Sequence, residues 1–265
     1  MIRRLKDYYR LASWVIDRFV GEVVQVNSTP PLASILRDNP KLIGVFNHGP
    51  AYAPIIYCLT ALKHYCQAGG ADRIPVAITH RLFYKVPVFK QLATYFTQVD
   101  HAVHYEEFVK IFSDRRFNDM MVMPEGDNAS FSDGLNIAPF RSHRFMDIAI
   151  HTQTPLLLCA QTGAESWCYP FFLSEKWDRW LYYFPSRIKG SLFDTRFINI
   201  PGLPKKIPEV RTAFKLITPE EWPTIFNDPN NSEACAEEVR SILQNMITEL
   251  RASARIADKP AETNQ

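Results

Sequence analysis

His48 lies in Phe46-Asn47-His48-Gly49-Pro50, directly after the apolar run Leu42-Ile43-Gly44-Val45-Phe46. Imidazole is the side chain whose proton affinity suits proton abstraction near neutral pH, and a loop at a strand end presents such a ring to an open cleft. A second polar turn, Pro124-Glu125-Gly126-Asp127-Asn128, ends another apolar run, Asp119-Met120-Met121-Val122-Met123. The chemistry on offer is proton transfer at His48 in the company of a carboxylate-bearing turn. Other histidines read as surface or capping residues: His80 precedes Arg81, and His101 and His104 flank Val103 near Asp100 and Glu106. No second cluster completes a metal site around them, so no metal is expected.

These two turns need a scaffold that brings them together across more than seventy positions. After the strand at 42–46 and its loop, residues 51–65 return to helical spacing, with Pro50 or Pro54 in the first turn, where a missing N–H does no harm. Residues 74–79 read as a second strand, 82–98 as a helix followed by an extended piece, and 119–123 as a third strand. Residues 145–151 read as helix and 155–160 as a further buried strand. Strands alternating with helices predict an α/β fold, a mostly parallel central sheet covered on both faces. Ligands of such folds sit beyond the carboxyl ends of the strands, so the two polar turns are expected to face each other there.

The ends of the chain read differently. Leu5, Tyr8, Tyr9, Ala12, Ile16, Phe19, Val20 and Val23 recur at helical spacing over 2–24, with Arg3, Arg4, Lys6, Arg10 and Arg18 elsewhere on the wheel. This amphipathic helix could pack on the body, rest on anionic lipid, or do both along different edges. An Asn-Ser-Thr-Pro-Pro break follows. Residues 163–215, rich in aromatics and proline, read as strands and long loops. Ser232 caps a last helix whose stripe is Val239, Ile242, Leu243, Met246, Ile247 and Leu250. The organisation expected is an N-terminal amphipathic helix and linker (1–30), one α/β domain (31–256) and a disordered tail (257–265).

Composition excludes several classes of function. A formal net charge of +2 with interspersed signs gives no field that would gather nucleic acid. The five cysteines are scattered and odd in number, as in a reduced cytosolic protein. Charges interrupt the N-terminal apolar run too early for a signal peptide, and no stretch of about 18 apolar residues follows. With 13% aromatic residues, the chain suits contact with a lipid headgroup layer as well as an ordinary core.

The order of these motifs resembles the phospholipid and glycerol-phosphate acyltransferases, typified by bacterial lysophosphatidate acyltransferase. Asn47-His48 matches the start of their N-H-x-x-x-x-D motif, and Met123-Pro124-Glu125-Gly126 their F-P-E-G-T-R-S. Arg81-Leu82-Phe83-Tyr84-Lys85-Val86-Pro87-Val88-Phe89 is similar to the intermediate stretch, and Thr154-Pro155-Leu156-Leu157-Leu158 to the closing strand, with Leu135 to Phe140 between turn and strand and Gly163 after it. The likeness covers roughly residues 40–165. It implies a glycerol-phosphate acyltransferase-like fold and transfer of a fatty acyl group from acyl-CoA or acyl-carrier protein to a lysolipid or other hydroxyl acceptor. It places the protein peripherally on the cytoplasmic face of the membrane, with the lipid surface as partner and no cofactor beyond the thioester co-substrate. Carried over residue by residue, His48 is the base, Glu125 positions the acceptor, and Gly126 lets the backbone approach. Asn47, Gly49, Pro124 and Asn128 would complete the substrate site.

Two departures stand out. Five positions after His48 the residue is Ala53 where the family has Asp, and Asp127-Asn128 follow Gly126 in place of Thr-Arg. Neutralising the carboxylate behind a serine protease's catalytic His lowers kcat by about 10⁴, roughly 5 kcal/mol, so another group must hold the ring if His48 is to act. Glu125, Asp127 and Tyr52 are the candidates, Asp127 foremost. An acceptor phosphate would depend on Arg81, Lys85, Arg141 or Arg144. Two alternatives stay open at this point: a lipid-binding pseudoenzyme of the same fold, and thioester hydrolysis with water as acceptor.

Overall fold

In the runs 42–46, 119–122 and 156–162 nearly every side chain is apolar, which is what a strand buried on both faces requires. In the computed structural model, which describes residues 2–26, 28–50, 52–79, 81–114, 116–126, 129, 132, 134–172, 197–201, 205–226 and 231–257, they form the middle of a six-stranded sheet. The strands are β1 (Val20–Gln25), β2 (Leu42–Phe46), β3 (Pro75–Ala77), β4 (Asp119–Val122), β5 (Leu156–Thr162) and β8 (Ile207–Ile217), in the order β1-β8-β5-β2-β4-β3. The four strands from β5 to β3 run parallel. Strand β8 lies antiparallel to β5 and carries β1 parallel to itself, so the sheet is mixed and mostly parallel. Strands β6 (Cys168–Phe172) and β7 (Phe197–Pro201) make a separate antiparallel pair.

Alternation along each strand sends side chains to opposite faces, and helices cover both. Leu42, Phe46, Leu157 and Cys159 face α1 (Leu5–Phe19), α2 (Leu32–Asp38) and α3 (Ala53–Tyr65). Ile43, Val45, Met120 and Leu158 face the opposite layer. It contains α5 (Tyr105–Ser113), α6 (Arg144–Thr152), the short α7 (Pro223–Phe226) and α8 (Ser232–Ala257). Helix α4 (Pro87–Thr97) lies beyond the β3 edge, after a 3-10 turn at Arg81–Tyr84. None of the five cysteines is in a disulfide.

Three local expectations need correction. The helical spacing over 2–24 is helix only as far as Phe19, because Val20, Val23 and Val24 are β-branched residues recruited by β8. The piece expected to be extended after the helix in 82–98 is helical to Thr97. There Gln98 takes a left-handed cap (φ 63°), and its side chain bonds the Arg3 backbone at both N–H (2.6 Å) and carbonyl (2.9 Å). Helix α5, with Phe108 and Phe112 buried, was not anticipated at all. Much of 163–215 lies outside the described residues, as do 258–265, where the tail was expected.

One buried ion pair ties the α2 layer to the sheet. Arg73 donates to both oxygens of Asp119 (2.8 and 2.6 Å) and to the carbonyls of Leu36 and Asn39 (2.8 and 2.9 Å), while Asp119 is 1% exposed at the start of β4. Arg73→Ala would strand that carboxylate away from water. It is expected to lower the unfolding free energy by about 3–5 kcal/mol in urea titrations, whereas a loss below about 1 kcal/mol would show the pair to be dispensable.

Candidate active site

Parallel pairing of β2 with β4, in register at Val45 and Val122, brings the carboxyl ends of the two strands side by side. The loop 47–50 and the turn 124–126 therefore leave the sheet together. The two meet in one bond: the backbone N–H of His48 donates to Oε1 of Glu125 at 2.7 Å. On the other flank of β2, Asn47 extends the ladder with β5. Its Oδ1 accepts from the Gln161 N–H (2.8 Å) and its Nδ2 donates to the Gln161 carbonyl (2.9 Å). Asn47 is buried with both of these polar atoms engaged by main chain, so it fixes the loop from below.

Nδ1 of the half-buried His48 ring lies 2.7 Å from the carbonyl oxygen of Gly49. A carbonyl can only accept, so Nδ1 carries the hydrogen and Nε2 keeps its lone pair. Gly49 can turn its carbonyl there because its φ is 64°, a conformation that glycine adopts without penalty. A Cβ on Gly49 would also meet Ala53 Cβ and the Tyr57 ring, each at 2.9 Å. Ala53, at the position where the resembled family has Asp, is completely buried.

Glu125 is 2% exposed. Its second oxygen, Oε2, accepts from the Ala138 N–H at 2.7 Å, so the carboxyl clamps the His48 loop to the segment 135–141. Burial pushes this carboxyl up to about 7, against the two backbone N–H bonds and the charge of Arg240, which pull it down. Pro124 accepts from the Arg141 N–H (2.8 Å), and Gly126, at φ 60°, lies against the Arg141 stem. Helix α8 braces the same segment: Gln244 bonds Ile137 (2.7 Å) and Leu135 (3.1 Å), and Arg240 donates to the Ile137 carbonyl (2.9 Å). Beside Glu125, between Asn47, Gly49, Gly134 and Ile137, is a pocket of about 10 Å³, enough for a single water.

The structure thus brings together Asn47, His48, Gly49, Pro124, Glu125, Gly126 and, through its backbone, Arg141. Arg81 is exposed on the 3-10 turn before α4 and does not line this pocket. Asp127 and Asn128 lie outside the described residues. Sequence reading missed the Gly49 carbonyl, Gln161, Arg240 and Gln244, all of which act through main-chain atoms or from remote parts of the chain. It also missed Glu165, whose Oε2 accepts from the buried Tyr57 hydroxyl (2.9 Å) and from the Gly163 N–H (2.6 Å) beneath the Gly49 turn. Gly163, two positions before it, is the one residue of this group in the motif order. No protein-family model matches the chain, and no curated protein matches it either.

Proposed function

We propose that the protein is an acyltransferase of the glycerol-phosphate acyltransferase-like fold. It would move a fatty acyl group from acyl-CoA or acyl-carrier protein to a lipid hydroxyl at the cytoplasmic membrane face. The observation that carries this reading is the bond from His48 Nδ1 to the Gly49 carbonyl, on a loop clamped by Glu125. It leaves Nε2 basic, the tautomer that proton abstraction needs. Nε2 accepts the proton of the acceptor hydroxyl as its oxygen bonds the thioester carbonyl carbon. The C–S bond then breaks, and the departing sulfur recovers the proton from the imidazolium. The carbonyl supplies the orienting role that the family's carboxylate plays behind its histidine.

Glu125 has both oxygens on backbone N–H groups, which favours a role in holding the His48 loop over direct contact with the acceptor. Among the described residues no helix is long and apolar enough to cross a membrane, consistent with attachment at the surface. The replacement of the family's Thr-Arg by Asp127-Asn128 bears on substrate choice. An arginine bonded to phosphate contributes about 1.5–3 kcal/mol, so its absence should cost a phosphate-bearing acceptor its usual advantage. Transfer of labelled acyl groups from either thioester should proceed at least as well to uncharged monoacylglycerol as to lysophosphatidate. A preference for lysophosphatidate of about tenfold or more would overturn the substrate assignment. Release of free fatty acid without any acceptor would identify a thioesterase, and no thioester consumption with any acceptor would leave a lipid-binding pseudoenzyme.

A further inference from the structure

The apolar residues of α4 are on its outside. At about 100° per residue, Val88, Leu92, Phe96 and Phe89 form a stripe about 100° wide, the width that a surface helix ordinarily turns to the core. Here they are 67%, 52%, 41% and 48% exposed, while the helix buries only Ala93 and Thr97. Phe83 and Val86 extend the stripe along the preceding turn, again exposed.

Charge around the stripe has one sign. Between Asp72 and Asp100 the sequence contains no carboxylate, yet it contains Arg73, Arg81, Lys85 and Lys90. Arg73 is committed to Asp119 inside the protein. The other three are exposed and form no salt bridge among the described residues. On the far flank of α4, Arg3 stacks over the Tyr95 ring at 4.4 Å and lines a groove with Lys90 and Asp100, whose carboxylate is engaged by His101 at 2.6 Å. The outer edge of α1 offers a contrast. Trp14 is 64% exposed there, but α1 also bears Asp7 and Asp17 and keeps its main apolar stripe, Leu5, Tyr8, Ala12 and Ile16, inside the fold.

We infer that α4 and the turn before it form the surface by which the protein docks on an anionic lipid bilayer, its stripe immersed among the acyl chains and Arg81, Lys85 and Lys90 at the headgroup phosphates. An apolar stripe rimmed by cations fits an interfacial helix lying in the membrane plane. A protein partner would find only Asp100, on the far flank and already engaged by His101, to pair with its own cations, whereas an anionic leaflet satisfies both features at once. The inference deepens the membrane-surface part of the proposed function and rests on it. It assigns the docking role to α4, where sequence periodicity had offered the N-terminal helix.

The test is co-sedimentation of the full chain with phosphatidylcholine vesicles, with and without phosphatidylglycerol. Partitioning should need the anionic lipid, weaken with salt and fall about tenfold or more in Val88→Ser/Leu92→Ser. Lys90→Glu should reduce it by about fivefold or more per charge. Trp14→Ser should leave it unchanged. Circular dichroism and turnover of a water-soluble short-chain thioester report whether each variant is folded, and these sites lie outside the His48 machinery. Equal binding of wild type and the Val88/Leu92 variant would overturn the inference, as would loss of binding with Trp14→Ser alone. A dimer in solution that the Val88/Leu92 variant splits into monomers would assign the stripe to a second copy of the chain. Vesicle binding with no turnover in the wild type would sink the acyltransfer reading while leaving the docking surface standing.

Discussion

His48→Ala is expected to lower thioester turnover with an acyl acceptor by about 10²–10⁴-fold, the range that general-base catalysis supplies. The substitution removes Nε2 but keeps the backbone N–H that Glu125 holds, so the loop retains its anchor. Stability should change by no more than about 1 kcal/mol, because the ring is half-buried and carries no share of the core. The effect should fall on kcat, since an imidazole that only takes a proton adds little to ground-state binding. Stopped-flow detection of released thiol, run beside urea unfolding of both proteins, measures the two quantities separately. Retention of more than about a tenth of wild-type turnover in a folded His48→Ala protein would remove His48 from the chemistry.

Glu125→Gln should act at two levels. The carboxyl accepts one backbone N–H at each oxygen, 2.7 Å from His48 N and 2.7 Å from Ala138 N. An amide has a single acceptor oxygen, so one of those N–H groups would face an NH₂. Leaving a buried donor unsatisfied costs about 1–3 kcal/mol, and release of the His48 loop by as little as about 1 Å can cost 10²-fold in rate. Such a loss belongs to kcat and should appear with acyl-CoA and acyl-carrier protein alike.

The pH dependence provides a second, independent readout. Burial raises the Glu125 carboxyl from 4.5 to about 7. Between those values the folded chain holds a proton that the unfolded chain has released, so raising the pH draws the equilibrium towards unfolding. The stability from this group is complete below pH 4.5 and is lost as the pH rises through about 7, by about 3 kcal/mol at about 1.4 kcal/mol per unit. Glu125→Gln lacks that proton exchange. The difference between the wild-type and variant unfolding free energies should therefore shift by up to this amount from about pH 5 to about pH 8, with the wild type losing ground. Parallel pH profiles for the two proteins would show that Glu125 remains ionised throughout, held by its two N–H partners and the nearby Arg240.

The middle of the sheet and the meeting of the two polar turns were legible in the residue order. Leu42–Phe46, Asp119–Met123 and Pro155–Ala160 are apolar runs too short and too uninterrupted for anything but strands covered on both faces, and a polar turn after such a strand must emerge at its carboxyl end. Adjacency of His48 and Glu125 follows once the strands are parallel neighbours. The stripe of α8, from Val239 to Leu250, was equally plain, because six positions at one period leave little choice.

Other features waited for the folded chain, each for a stated physical reason. Strand β1 owes its state to pairing with β8, about 190 positions away, and local spacing cannot register a partner so remote. The hydrogen bond that sets the His48 tautomer comes from a main-chain carbonyl turned by a positive φ at Gly49, and every residue has such a carbonyl, so residue types do not mark it. Glu125 is expected to position the acceptor or to hold His48; the N–H groups that engage its oxygens occur at every residue but proline, so composition carries no trace of them. On α1 and α4 alike, periodicity states which residues share a side of the helix. Whether that side meets the core or the solvent depends on the neighbours against which the helix packs, and only the assembled layers supply those.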